Sequence, residues 1–163
     1  MGNTKNSSNS SKLKNYTSTV SVSSSLETIE RLLVEAGAKY IGRFYDEVGG
    51  ERRIGGFMFQ MEVDGIPMTF KLPSNPNAVR RIMESDVKRP RKGTMNKVWQ
   101  QAERTAWKIL ADWVHLQVTM IKMQQAEAAQ IFLPYVYDHQ SDSTLFDRLK
   151  ANKFKQLTGK SKE

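Results

Sequence analysis

The sequence predicts an α+β fold: a three-stranded antiparallel meander packed against helices, one of them long. Three observations predict it. Between residues 39 and 72 apolar side chains recur at every second position, the period of a strand with one buried face. Asp64-Gly65 interrupts that pattern as a type I′ hairpin signal. From Met95 to Gln124 apolar spacing changes to three and four, the period of an amphipathic helix, over roughly 45 Å.

The elements follow in order along the 163 residues. Residues 1–22 are Ser, Asn, Thr and Lys with few apolar anchors, so they cannot offset the entropy of ordering and are expected to be a disordered tail. Residues 23–150 form a single α+β domain, and residues 151–163 a basic C-terminal tail. Ser24 and Glu27 match a capping box for a short helix carrying Ile29, Leu32, Leu33 and Ala36, stopped by Gly37. Lys39–Tyr45 reads as a strand, and Asp46–Arg52, with Gly49-Gly50, as a turn. Phe57, Phe59, Met61 and Val63 then alternate with Met58, Gln60 and Glu62. The opposite face, with Gln60 and either Arg43 or Arg53, is then the exposed one. Beyond Asp64-Gly65, Ile66, Met68, Phe70 and Leu72 alternate again, and Pro67 places this third strand at an edge.

Asn75-Pro76 caps a second short helix with Val79, Ile82 and Met83 on one face. Thr94 is the expected N-cap of the long helix. Its apolar stripe is Val98, Ala102, Ala106, Ile109, Trp113, Leu116 and Met120, widened by Trp99, Leu110, Val114 and Ile121. Ala126–Phe132 adds a turn or two of helix, ended by Leu133-Pro134-Tyr135. A short strand is expected at Tyr135–Tyr137. A last helix is expected from Ser143 to about Leu157.

The absence of cysteine excludes disulfides, thiolate metal sites and a cysteine nucleophile. No apolar run approaches the roughly 20 residues a membrane span needs, and no signal-peptide core opens the chain. A cytoplasmic location, in a host bacterial cytosol, is expected.

Charge is the most informative feature. The chain carries a net +8, and residues 71–97 hold eight basic residues against two acids, Glu84 and Asp86. Its centre, Lys88-Arg89-Pro90-Arg91-Lys92-Gly93, is a loop by composition. Dense positive charge between ordered elements meets phosphate, releasing counterions and giving salt-dependent affinity. The candidate nucleic-acid-binding residues are Arg80, Arg81, Lys88, Arg89, Arg91, Lys92 and Lys97. Arg104 and Lys108, a helical turn apart, extend the track if the long helix runs beside the loop.

Other constellations carry weaker chemistry. Phe57 and Phe59 have the period of core residues rather than base-stacking ones, and Gly55-Gly56 marks a bulge or close approach. No Walker or dinucleotide pattern surrounds it, so no cofactor is expected. Trp99, Trp107 and Trp113 read as buried packing. Asp112 and His115 lack a third metal ligand. Asp46, Glu47 and Glu51 lie in a turn where acids are common, with no nuclease-like completion. No catalytic residue and no metal site is expected.

Several phrases also carry a family pattern. They are Thr17-Ser18-Thr19-Val20, Ile29-Glu30-x-x-Leu33 with Gly37-Ala38, Phe70-x-Leu72-Pro73, Gln101-Ala102-Glu103-Arg104-x-Ala106-Trp107 with Trp113, and Phe132-Leu133-Pro134-Tyr135. Together they resemble a family of small phage- and prophage-encoded proteins, from about Thr17 to Leu149. The resemblance implies a mobile-element origin, and so work on phage DNA or against a host defence. It transfers no catalytic motif. The expected function is non-enzymatic nucleic-acid binding, to DNA, in replication, recombination or single-strand handling. The alternative is a protein-directed inhibitor of a host defence system, resembling an anti-CRISPR, that binds a host nuclease. Strand preference, oligomeric state and host target are left open at this level.

Overall fold

Opposite charges face each other across the first hairpin, Asp46 against Arg53 and Glu47 against Arg52, pairings that favour a continued ladder. The strands therefore run further than their apolar pattern alone suggests. The computed structural model describes residues 13–158. It places β1 at Tyr40–Val48, β2 at Glu51–Val63 and β3 at Ile66–Pro73, in the order β1-β2-β3, all antiparallel. The expected Asp46–Arg52 turn shrinks to Gly49-Gly50. The second turn is as expected: Asp64 (φ 50°) and Gly65 (φ 78°) are both left-handed, as a type I′ turn requires.

Gly55-Gly56 marks the predicted irregularity. The β1–β2 register shifts between Phe44 and Tyr45. A Cβ on Gly56 would lie 2.2 Å from the Leu72 carbonyl oxygen and 2.6 Å from the Phe44 ring. Only glycine allows so close an approach of backbone and ring.

Phe57, Phe59, Met61, Phe70 and Leu72 are buried on the sheet's inner face. α1 (Val22–Glu35) supplies Leu26, Ile29, Leu32 and Leu33 to the same core. Its cap is Ser21 rather than the expected Ser24–Glu27 box: Ser24 N–H donates to Ser21 Oγ at 3.1 Å. α3 (Thr94–Lys122) lies over both α1 and α2 (Pro76–Ser85). A smaller cluster of Val79, Met83, Ala102 and Ala106 joins α2 to α3.

The buried arc of α3 differs from the expected stripe. Trp107 is 2% exposed, whereas Leu116 is 59% exposed. The helix packs on the sheet and α1 along one side and on α2 along another, so its buried surface turns around the helix rather than following one line. Ala102, Ala106 and Ala111 are buried along that surface. Trp107 is a core residue as expected, meeting Phe57 edge-on at 6.0 Å, and Trp113, half-buried, packs against that core and meets Phe132 at 6.1 Å.

α4 (Ala128–Phe132) runs into a 3-10 turn at Leu133–Tyr135. Val136 bridges Phe70 of β3, on the side of β3 away from β2. β4 (Tyr137–Asp138) and β5 (Ser143–Thr144) pair as a small hairpin. α5 (Leu145–Ala151) is capped by Thr144. It stops well before the expected Leu157, because Lys153 (φ 51°) and Phe154 (φ 56°) cannot continue a right-handed helix.

The expected disordered tail also differs. Residues 1–12 lie outside the described residues, as do 159–163, but residues 13–21 lie along α3. Gln101 Nε2 donates to the carbonyls of Tyr16 (3.1 Å) and Ser18 (3.0 Å), and Thr105 Oγ1 donates to that of Asn15 (3.0 Å). Leu13 and Tyr16 pack on the smaller core. Two polar side chains on an apolar helix face thus supply what the segment's own few apolar residues do not. No helix among the described residues is long and apolar enough to cross a membrane.

Replacing Gly56 with Ala is expected to destabilise the fold by about 1–3 kcal/mol, since backbone and an aromatic ring must both give way. Urea unfolding with unchanged m-value but lower midpoint would register it.

Candidate nucleic-acid interface

α2 packs against α3, and the connection between them, residues 86–93, carries the basic sequence. Asn75 caps α2 as expected, its Oδ1 accepting from Ala78 N–H at 3.1 Å. Gly93, not Thr94, is the N-cap of α3, in the left-handed region at φ 81°. Thr94 instead folds back on the loop, its Oγ1 accepting from Arg91 N–H at 2.9 Å. No acidic residue lies in the first turn of α3, so nothing offsets the positive end of its dipole there.

Both acids of this stretch have partners. Glu84 pairs with Arg80 at 3.5 Å within α2. Asp86 accepts from the Tyr16 hydroxyl at 2.9 Å. Burial, and then that bond to Asp86, hold the Tyr16 hydroxyl above its ordinary pKa. Glu84 is thus paired with a cation of its own helix, and Asp86 is the one acid left at the start of the loop.

The nine predicted residues therefore divide. Arg81, Lys88, Arg89, Arg91, Lys92 and Lys97 are exposed, and Arg104 is half-buried. None of these seven makes an ion pair or ring contact among the described residues, whereas ten other basic side chains do make ion pairs. Arg80 and Lys108 are engaged by the fold. The Arg80 guanidinium lies over the Trp99 ring at 5.0 Å. Lys108 pairs with Asp112. Lys71, at the start of the basic stretch, is on the sheet between the rings of Phe44 (4.9 Å) and Tyr137 (5.0 Å).

Sequence reasoning missed a role for Trp99. It is not simple core packing. The Arg53 guanidinium lies 4.5 Å and that of Arg80 5.0 Å from the centre of its ring, so the indole is in contact with two guanidinium groups. Arg53 is held by Glu103 (2.7 Å) and Glu51 (2.6 Å). Arg43 donates to Glu30 of α1 at 2.8 Å. Both arginines thus reach toward the helices, and the sheet's open face carries Tyr40, Met58, Gln60 and Thr69 around Gly42. The expectation of an arginine on that face is corrected.

Asp112 ties the 13–21 segment to α3. Burial alone would raise its pKa. Bonds from Lys108, Lys14 and Asn15 outweigh that and hold the carboxyl well below the usual carboxylate range. His115 is exposed one turn away, with no partner role in this cluster. No group of three His, Asp or Glu side chains converges as a metal site among the described residues.

No protein-family model, curated protein or solved structure matches the chain.

A carboxylate with a depressed folded pKa stabilises the fold above its unfolded pKa of about 3.9 and loses that contribution as pH falls further. Acidification below about pH 4 is therefore expected to release the 13–21 segment from Asp112. Asp112→Asn should cost about 1 kcal/mol at neutral pH, lowering Tm by about 2–4 °C. It should also flatten the decline of Tm between pH 4 and 2. Calorimetry across that range measures both.

Proposed function

We propose that this chain is a non-enzymatic nucleic-acid-binding protein of phage origin, acting on DNA in replication, recombination or single-strand handling in the bacterial cytoplasm. The observation that carries the reading is the set of unpaired cations on α2, the 86–93 loop and the start of α3. Six hydrated cations close together with a single carboxylate, Asp86, among them repel one another. A polyphosphate backbone removes that repulsion and gains entropy from released counterions. A solubilising surface would intersperse acids among these residues, and here Glu84 is paired with Arg80, which leaves Asp86 as the one acid beside six exposed cations.

The loop is joined at both ends to packed helices, and Thr94 Oγ1 accepts from Arg91 N–H, so its charges are anchored rather than carried on a diffuse tail. Phosphate contacts of this kind position a strand without reading bases. The reading is accordingly of sequence-independent binding, with affinity roughly micromolar at physiological salt.

Replacing Lys88, Arg89, Arg91 and Lys92 together with Gln is expected to weaken oligonucleotide binding and flatten its salt dependence. If all four contact phosphates, the slope of log K against log salt drops by up to about 3 for a single strand. Thermal stability should be almost unchanged, because all four side chains are exposed. Salt-titrated fluorescence anisotropy measures the slope. Unchanged affinity in the quadruple variant sinks the proposal. Capture of a host nuclease by a protein with no affinity for bare DNA points instead to the anti-defence alternative.

A further inference from the structure

The two edges of the sheet are treated differently. β3 is blocked twice: Pro67 supplies no N–H near its start, and Val136 bridges Phe70 further along. β1, the other edge, runs nine residues from Tyr40 to Val48 without a proline. Among the described residues its backbone bonds to no element but β2. Tyr40 (71% exposed) and Tyr45 (52% exposed) both stand on it. A long exposed edge accepts another strand, and chains that stay single blunt it with proline, lysine, a bulge or a covering loop. β1 has no proline, no lysine and no cover, and the extra residue at the register shift, Gly55, belongs to β2.

The charges of β1 are complementary to themselves. In an antiparallel ladder, opposed residues lie on the same face. A two-fold axis normal to the sheet must therefore pass through a residue position. With the axis at Tyr45, Arg43 faces Glu47 of the second copy and Glu47 faces its Arg43, two opposite-charge pairs from one contact. With the axis at Arg43 or Asp46, like charges meet at the axis itself. With the axis at Phe44, no charge faces another. Arg43 can take a second carboxylate: its Nε and Nη2 both approach one oxygen of Glu30 at 2.8 Å, which leaves Nη1 over. Glu47 is exposed and makes no ion pair among the described residues. Arg52, opposite Glu47 on β2, stands over the Tyr45 ring at 5.5 Å. Arg43, Arg52, Asp46 and Glu47 make each copy's share of this seam neutral, although the chain as a whole carries +8.

We propose that β1 pairs antiparallel with β1 of a second copy of this chain about an axis at Tyr45, joining two three-stranded sheets into one of six. Backbone bonds along residues 42–48 supply the attraction, and the Arg43–Glu47 pairs set the register. The pairing stands independently of the nucleic-acid reading.

Sedimentation velocity of the full chain over a range of concentrations tests the association, and a monomer–dimer equilibrium is expected. Glu47→Arg sets arginine against arginine twice and should raise the dimer dissociation constant about 10-fold. Because the chain has no cysteine, a single introduced one reports the register. Tyr45→Cys places two thiols opposite each other at the axis, within the Cα separation a disulfide spans, and mild oxidation should link the chains. Tyr40→Cys, on the same strand but five positions from the axis, holds its two thiols about 33 Å apart and should stay unlinked. A chain that remains monomeric at every concentration overturns self-pairing and leaves β1 to a strand from another protein. A dimer that Glu47→Arg does not weaken, or that links through Tyr40→Cys and not through Tyr45→Cys, overturns it as well.

Discussion

The edge-on contact between Phe57 and Trp107, ring centroids 6.0 Å apart, fixes α3 across the sheet, and the other elements take their positions from α3. Its buried surface serves two cores. Leu26, Ile29 and Leu33 of α1 reach it through Ala111, Val114 and Val118, and Val79 and Met83 of α2 reach it through Ala102 and Ala106. Because α2 is seated on the first half of α3, the connection between them is held at the end of the helix pair. The basic sequence is thereby presented on a rigid base.

Charge distribution is a consequence of the same packing. Arg53, buried in part against Trp99, takes Glu103 and Glu51. Arg80 takes Glu84, and the 13–21 segment brings Tyr16 to Asp86. The pairing with Arg80 engages Glu84, while Asp86 stays at the start of the loop with the Tyr16 hydroxyl bonded to it. What is left is a cluster of exposed cations with an uncapped helix N-terminus behind it. Individual exposed ion pairs contribute little to stability. Their larger effect here is on which charges remain available to a ligand.

Much of the fold was legible in the sequence, for definite physical reasons. Period-two alternation in Phe57–Val63, the Asp64-Gly65 turn and the Asn75-Pro76 cap are local signals, and each is where the local chemistry puts it. The departures all involve contacts distant in sequence. Residues 13–21 lack apolar anchors of their own and are seated by Gln101 and Thr105, more than eighty positions away. Trp99 reads as core because its spacing matches Ala106 and Trp113, yet its neighbours are arginines from β2 and α2. Leu116 matches the helical stripe but faces solvent, since no element covers that part of α3. In the candidate interface, the cations themselves could be read from composition. Which of them remain unpaired could not, because that depends on where Glu84, Asp86 and Asp112 find partners.

The central claim is that phosphate is met by the surface spanning Arg80, Arg81, the 86–93 loop, Lys97 and Arg104. The most direct measurement is a backbone amide NMR titration of the full chain with a short oligonucleotide at low salt. The account expects shifts concentrated in residues 80–104, reversed by added salt. Shifts confined to the open sheet face around Tyr40, Gly42 and Gln60, or none at saturating oligonucleotide, would contradict it.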